Sequence, residues 1–145
     1  MLTKPSLTLK RRLKATPAQV FAAWTDPEKI VRWFGPAETI AGSVRAQMDV
    51  RAGGKYQMNF KTEDGEAHQV GGVYREVVPN SRLQFTWAWH STPERESLVT
   101  VTMASDGATG CIITLLHEQF FDQAAADGHK RGWTGTLDKL EQYFA

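Results

Sequence analysis

Cysteine is almost absent from the sequence, since Cys111 is the only one among 145 residues. A single cysteine excludes an internal disulfide and a cysteine-rich zinc site, and it is typical of proteins in a reducing compartment. The N-terminal segment lacks the apolar stretch of a signal peptide, and no segment approaches the roughly 18 apolar residues of a membrane span. These absences predict a cytoplasmic protein without a membrane span.

An excess of charge of either sign is also missing. The 17 basic and 16 acidic residues give a formal net charge of +1 and are interspersed along the chain. The chain therefore has no basic patch that would indicate nucleic acid as a partner. A chain of this length corresponds to one ordinary domain, which buries roughly 68–70% of the surface that its unfolded form exposes. We expect a single domain over residues 1–145 with a core large enough to contain a cavity.

Familiar catalytic and metal-binding motifs are absent as well. The chain has no G-x-S-x-G elbow, P-loop, dinucleotide fingerprint or H-x-x-x-H pair. Its four histidines, His68, His90, His117 and His129, are too scattered to form a recognisable metal site. The sequence therefore predicts no catalytic residue, no metal site and no cofactor.

The first part of the chain carries boundary signals for a strand and two short helices. Leucines alternate with polar and basic residues over residues 7–15, which predicts a half-buried strand. The following TPAQ, residues 16–19, is typical of a capped helix start with proline at the first position. Asp-Pro at 26–27 repeats this signal, so we expect a second helix from there to about Phe34.

The remainder alternates with a period of two and then changes to helical spacing. The separators RAGG, EDGE, VPNS and SDGATG are typical of tight turns between antiparallel strands. Trp133, Leu137, Leu140 and Phe144 then recur at helical spacing and predict a long terminal helix. The predicted strands cover residues 40–50, 55–62, 69–78, 82–90, 98–105 and 111–120.

This order of elements limits the architecture to an α+β fold. Seven antiparallel strands have one apolar face to cover, and the C-terminal helix is the only element large enough to cover it. We expect the sheet to curve around that helix. A curved sheet that does not close fully on a helix leaves a cavity, lined by inward strand residues and the facing side of the helix.

Five segments together resemble a known family. They are RRLKATPAQVFAAWTDPEKIVRWFGP, GGKYQMNF, GGVYREVVPNSRLQFTWAW, LLHEQF and HKRGWTGTLDKLEQYF, and they cover nearly the whole chain. In this order they resemble the activator-of-Hsp90-ATPase-homologue-like (AHSA1-like) branch of the START-like, helix-grip superfamily, also called SRPBCC. The family's usual Trp-Trp-Gly-Pro is Trp33-Phe34-Gly35-Pro36 here, an apolar exchange. The resemblance implies a helix-grip (START/Bet v 1-like) fold, on which ligand carriers, receptors, cyclases and co-chaperones all occur.

An excess of large apolar and aromatic residues at inward positions indicates a pocket for a flat or hydrophobic molecule. Gly132 and Gly135 flank Trp133 and are expected to keep that face of the helix open. For any single one of the inward apolar residues, a place in the core is more common than contact with a ligand. The predicted ligand-binding residues are Trp24, Trp33, Tyr56, Tyr74, Phe85, Trp87, Trp89, Met103, Leu115, His117, Trp133 and Leu137.

Two polar residues interrupt the apolar alternation. Arg11 shares a strand face with its neighbouring leucines, and a buried charge requires a partner. We expect a structural ion pair with Glu76 or Glu118, with a ligand anchor as the alternative. His117 lies on the face of Leu115 and is either satisfied by a neighbouring group or available for a polar contact or proton transfer.

Three functions remain open. The favoured one is non-enzymatic binding or carriage of a small hydrophobic or aromatic molecule in the cavity. The second is an enzyme of the cyclase or hydrolase type, in which His117 moves protons. The third, implied by the resemblance, is a module that activates an Hsp90-type chaperone or binds another protein; it is least favoured because those activators carry an additional N-terminal domain. Ligand identity and oligomeric state, monomer or dimer, stay open.

Overall fold

A computed structural model describes residues 4–145 and shows seven strands and three helices in this range. A strand is followed by two short helices, six further strands and a long terminal helix, which confirms the predicted α+β architecture. None of these helices is long and apolar enough to cross a bilayer. The elements are β1 (Leu7–Leu13), α1 (Pro17–Thr25), α2 (Pro27–Ile30), β2 (Arg45–Met48), β3 (Lys55–Lys61), β4 (Ala67–Val78), β5 (Arg82–Trp89), β6 (Ser97–Asp106), β7 (Gly110–Glu118) and α3 (Gln123–Tyr143).

The strands form one antiparallel sheet in the order β1-β7-β6-β5-β4-β3-β2. Strands β2 to β7 form a meander, and β1 pairs with β7 so that Leu7 lies opposite His117 and Leu13 opposite Cys111. The inward residues of the central strands, such as Val99, Val101 and Leu115, are completely buried. They belong to one apolar core that includes Leu137 and Leu140 of α3, as a sheet gripping a helix requires.

Local sequence signals determine where the helices begin. The predicted capping box is present, with the Gln19 backbone N–H donating to Thr16 Oγ1 at 3.2 Å and the Thr16 N–H donating to Gln19 Oε1 at 2.8 Å. Asp26 caps α2 in the same way, accepting from the Glu28 N–H at 2.9 Å. Asp122 accepts from the Ala125 N–H at 2.8 Å and caps α3.

Two predicted elements are shorter in the structure. The α2 helix ends at Ile30 instead of Phe34, because the chain tightens into turns in which the Arg32 N–H donates to Lys29 O. The strand predicted over residues 40–50 is reduced to β2, because a turn in which the Ser43 N–H donates to Ile40 O interrupts the extended backbone. In both places a local turn competes with the regular hydrogen bonds.

The sheet bends where β4 passes β5. The register shifts between Tyr74 and Glu76, and such a bulge bends a strand and increases its twist. Gly72 lies so close to β5 that an added Cβ would be 2.0 Å from Thr86 O. The same carbonyl accepts a hydrogen bond of 2.6 Å from the Tyr56 hydroxyl, which satisfies this phenol inside the core.

The aromatic residues of α1 and of the segment after α2 pack inward. Trp24 and Trp33 are 3% and 1% exposed, and their rings meet edge to face with centroids 4.8 Å apart. The indole Nε1 of Trp33 donates to Ala23 O at 3.2 Å, and Trp24 lies 6.1 Å from Trp133 of α3. The two short helices therefore join the core through tryptophan rings.

Arg11 forms an ion pair, but its predicted partners were wrong. Its guanidinium donates to Asp138 at 2.6 Å and to Glu141 at 3.2 Å, both on α3. The side chain of Arg11 is 22% exposed, and those of its partners are 60% and 43% exposed. Neither Glu76 nor Glu118 contacts it, because the helix that covers the inward face of β1 presents its own carboxylates there; Glu76 pairs with Arg82.

The solvated position of this pair predicts a modest contribution to stability. We expect Arg11→Met to lower the free energy of unfolding by about 1 kcal/mol, because the partners stay hydrated when the guanidinium is removed. Urea unfolding of parent and variant measures the difference, which should shrink at about 1 M salt through screening. Arg12→Met, which removes the more exposed pair with Asp106, is the control and should cost less. A loss of about 3 kcal/mol or more from Arg11→Met would mean that the carboxylates behave as buried charges.

Candidate functional site

A cavity of about 560 Å³ opens between α3, the segment after α2 and the ends of strands β3, β4 and β5. Its inner wall is aromatic, and its rim includes the exposed residues Glu38, Asp64, Ser91 and Arg131. The lining residues are Phe34, Gly35, Pro36, Glu38, Phe60, Thr62, Asp64, His68, Trp87, Trp89, Ser91, Ala124, Ala125, Gly128, His129, Arg131, Gly132, Trp133 and Thr136.

Five aromatic rings form the continuous inner wall. Trp87 lies at the centre, with its ring centroid 5.1 Å from that of Trp133 and 5.5 Å from that of Trp89. Phe34 contacts Trp133 and Phe60 edge to face, with centroids 6.3 Å and 6.0 Å apart. Each ring is held by its neighbours in the arrangement that aromatic quadrupoles favour, so the wall is well ordered.

His129 joins α3 to β5 at this wall. Its Nε2 accepts hydrogen bonds from the indole Nε1 of Trp89 at 2.9 Å and of Trp87 at 3.3 Å. Because an indole only donates, the proton of His129 is on Nδ1, which donates to Ala125 O one turn earlier at 2.7 Å. One imidazole therefore fixes two of the tryptophans in the cavity wall.

His117 makes the equivalent connection one layer deeper. Its Nδ1 accepts from Trp133 Nε1 at 3.0 Å, so its proton is on Nε2 and is donated to Ser97 Oγ at 2.7 Å. The Ser97 hydroxyl donates in turn to Trp87 O at 3.1 Å. His117 is 0% exposed and does not line the cavity. The structure thus brings it behind Trp133 instead of against a ligand.

Both imidazoles are uncharged in the folded protein. Burial, with a smaller contribution from the nearby His129, lowers the pKa of His117 to about 2. Burial also lowers the pKa of His129, against a smaller upward effect of its bond to Ala125 O. Desolvation disfavours the imidazolium, and no carboxylate compensates for it. His117 consequently has neither the exposure nor the free nitrogen that proton transfer to a ligand requires.

The rim of the cavity near the β3–β4 turn is polar. Thr62 Oγ1 donates to Asp64 Oδ1 at 2.6 Å, and the Glu66 N–H donates to the same oxygen at 3.0 Å. These bonds lower the pKa of Asp64, with the Thr62 hydroxyl as the first cause. Ligand atoms of Asp64, Glu66 and His68 lie within 4.8 Å of one another. Bonds within the turn account for this grouping, and we assign no metal to it.

Three of the predicted ligand-binding residues line the cavity, namely Trp87, Trp89 and Trp133. The others lie in the surrounding core, where the void nearest Trp24, Tyr56, Tyr74 and Phe85 measures only about 20 Å³, room for about one water. Residues placed in the core and away from the cavity are Trp24, Trp33, Tyr56, Tyr74, Phe85, Met103, Leu115, His117 and Leu137.

Sequence reasoning missed Phe34, Phe60 and His129 at this site. Phe60 alternates with Met58 on the inward face of β3, and that period of two was a usable signal. His129 precedes Trp133 by four residues, which places both on one face of α3. Phe34 lies directly before Gly35-Pro36. No pattern in the sequence distinguished it from its neighbour Trp33, which is buried in the core.

The face of α3 at the cavity is open because of glycine. A Cβ added at Gly132 would meet no atom within 4 Å, and one at Gly128 would meet only the end of Arg131 at 3.8 Å. At Gly135, by contrast, a Cβ would be 2.8 Å from the backbone nitrogen of Ala37. Gly132 leaves space as the sequence predicted, whereas Gly135 permits close packing against the segment after α2.

Comparison with known proteins identifies the relatives of this chain. The family model described as "Activator of Hsp90 ATPase homolog 1-like protein" matches residues 14–145. A solved structure from Chromobacterium violaceum is 26% identical and has a TM-score of 0.80 over 97% of each chain. The AHSA1 protein from Silicibacter pomeroyi is 27% identical, with a TM-score of 0.78 over 95% of this chain and 96% of its own. Among curated proteins no relative matches.

The buried neutral imidazole of His117 predicts acid sensitivity. Unfolding exposes it and allows it to bind a proton below its ordinary pKa of 6.5, whereas the folded form binds none until about pH 2. Acid therefore favours the unfolded state, and stability is gained as the pH rises through this window. We expect His117 to lower the free energy of unfolding by up to about 1.4 kcal/mol per pH unit between about pH 6 and about pH 4.

Urea unfolding at a series of pH values measures this slope. His117→Gln should reduce the slope by about one proton, although the variant is less stable near neutral pH, where the parent imidazole makes both hydrogen bonds. His90→Gln changes an exposed histidine and should leave the slope as in the parent. An unchanged slope in His117→Gln would contradict the assignment of a neutral imidazole at this position.

Proposed function

This chain belongs to the Activator of Hsp90 ATPase homolog 1-like family, and from that premise we propose that it binds a small, largely apolar, ring-containing molecule without changing it chemically. The observation that carries the proposal is the open cavity of about 560 Å³ with five aromatic rings in its wall. Small-molecule sites are typically concave, mostly apolar and about 300–1,000 Å³ in volume. The family fold is compatible with ligand binding, and the cavity provides a specific place for it.

The proposed binding residues are Phe34, Phe60, Trp87, Trp89 and Trp133. Their rings offer apolar surface at little entropic cost, because edge-to-face contacts and hydrogen bonds already hold them in place. A preorganised wall of this kind suits a flat ligand that gains its affinity from burial. The other residues that the sequence predicted to bind the ligand lie deeper in the core, where they support these rings without touching the ligand.

The polar groups of the wall favour binding over catalysis. Both nitrogens of His129 have hydrogen-bond partners, and burial lowers its pKa, so it is poorly suited to exchange protons with a ligand. Thr136 Oγ1 donates to Gly132 O at 2.8 Å and is occupied in the same way. His117, the residue on which an enzymatic role depended, is separated from the cavity by Trp133.

The family description refers to activation of a chaperone ATPase, and function does not follow from fold membership alone. We therefore base the proposal on the cavity. The buried thiol of Cys111 fits a reducing compartment and supports a cytoplasmic location.

Filling the cavity from α3 should weaken binding without harming the fold. We expect Gly132→Leu to weaken binding of the neutral dye N-phenyl-1-naphthylamine about ten- to a hundredfold, because the new side chain occupies ligand space. Stability should stay constant or rise by up to about 1 kcal/mol, since glycine is a poor helix former. Dye fluorescence and quenching of tryptophan emission measure binding, and urea unfolding measures stability.

Lys130→Leu is the matched control, because it introduces the same residue on the same helix at an exposed position that does not line the cavity. It should leave dye affinity unchanged. Saturable dye binding that is equal in both variants would place the ligand elsewhere. No saturable binding to the parent protein would contradict the proposed function itself.

A further inference from the structure

We propose that the ligand of this cavity carries a positively charged amine, held against the aromatic wall and the carboxylate of Asp64. This inference rests on the proposed function and specifies the chemical class of the ligand. It follows from which hydrogen-bonding groups of the wall are already used and which are still available.

The aromatic part of the wall has no spare N–H donor. Trp87 and Trp89 donate to His129, and Trp133 donates to His117. The hydroxyl groups of Thr62 and Thr136 also donate internally, to Asp64 and to Gly132 O. An anionic or strongly accepting ligand group would therefore leave water without gaining a partner from this part of the wall, which is costly.

The same bonds leave the aromatic rings themselves to the ligand. An indole is electropositive at its N–H edge and electron-rich on its ring faces. The three N–H edges are directed at imidazoles, so the surface available to the cavity is ring surface. Aromatic rings attract an ammonium group within about 6 Å, and tryptophan does so most strongly. The two imidazoles that accept the indole bonds, His117 and His129, do not oppose this attraction, because burial keeps both uncharged near neutral pH.

Carboxylates outnumber lysines and arginines in the lining. Asp64 and Glu38 are acidic, and Arg131 is the one lysine or arginine among the lining residues within the described part of the chain. Glu38 is partly offset by Lys139, whose pKa is lowered by burial and, to a smaller extent, raised by this carboxylate. Asp64 forms no ion pair with a lysine or arginine among residues 4–145, and His68 is the basic group near it. Its Oδ1 is fixed by Thr62 and the Glu66 N–H, and Oδ2 has no hydrogen-bond partner in the same range. An oriented carboxylate with a free oxygen is a suitable contact for an ammonium N–H or N–CH₃ group.

Three water-soluble probes of nearly equal shape test the charge of the ligand. Choline, 3,3-dimethylbutan-1-ol and 3,3-dimethylbutanoate share a trimethyl head and are positive, neutral and negative. Titration is followed by the NMR signals of the indole N–H groups of Trp87 and Trp89. We expect choline to bind at least about fivefold more tightly than the alcohol and the anion to bind most weakly. The preference should decrease as salt is added.

Variants then test the assigned contact. Asp64→Asn keeps the oxygen that accepts from Thr62 and should weaken choline binding about three- to fivefold while leaving the alcohol unaffected. Glu63→Gln is the matched control in the same turn, at a residue that does not line the cavity, and should change choline binding by less than about twofold. Arg131→Gln should strengthen choline binding.

The outcomes separate this inference from the function on which it rests. Equal affinity for choline and the alcohol, or tightest binding of the anion, would overturn the amine while saturable binding of N-phenyl-1-naphthylamine still supported an apolar cavity. Binding of the dye with no response to any of the three probes would also overturn the inference that the ligand carries an amine. If neither the dye nor any probe binds, the proposed function fails together with the inference.

Discussion

The hydrogen bonds between three indoles and two imidazoles are the interaction on which the rest of this structure depends. Trp87 and Trp89 of β5 share the Nε2 of His129, and Trp133 of α3 donates to His117 of β7. Each bond satisfies a polar group that would otherwise be buried without a partner, a situation that costs about 1–3 kcal/mol. The network therefore fixes the position and the orientation of α3 relative to the centre of the sheet.

That constraint also explains why the interior is solid at one end and open at the other. Beyond Trp24 and Phe85 the side chains of the sheet and helices fill the space almost completely. Toward the start of α3 the helix presents glycine where larger residues would fill the gap, and Gly132 leaves open space. The tryptophans cannot move into that space, because their N–H groups are held by histidine. The proposed binding surface consists of this rigid aromatic wall and the unfilled helix face beside it.

The histidines show how burial decides the role of a residue. From the sequence, His117 was the best polar candidate for contact with a ligand, and an enzymatic function depended on it. In the folded protein its pKa is far below its ordinary value because burial disfavours the charged imidazolium. It positions Trp133 and Ser97 instead, at the junction of α3 with β6 and β7. This arrangement makes the fold sensitive to acid, because the imidazole binds a proton more readily in the unfolded chain than in the buried core.

The order of the elements, their helix caps and the family could be determined from the sequence alone. Capping boxes, Asp-Pro starts, turn residues and the periods of strand and helix are local signals, and they act within a few residues. They located β3 to β7 within about two residues at each end. Signals of this kind determine which faces are apolar, and therefore that a sheet must wrap a helix.

Tertiary structure alone decided which aromatic residues reach the cavity. Trp33 and Phe34 are adjacent and equally apolar, yet only Phe34 lines it. Arg11 found its partners about 130 positions away on α3, because the rotation of that helix relative to β1 selects which carboxylates face the strand. Such contacts depend on strand register, sheet bending and helix rotation together, and no short stretch of sequence contains that information.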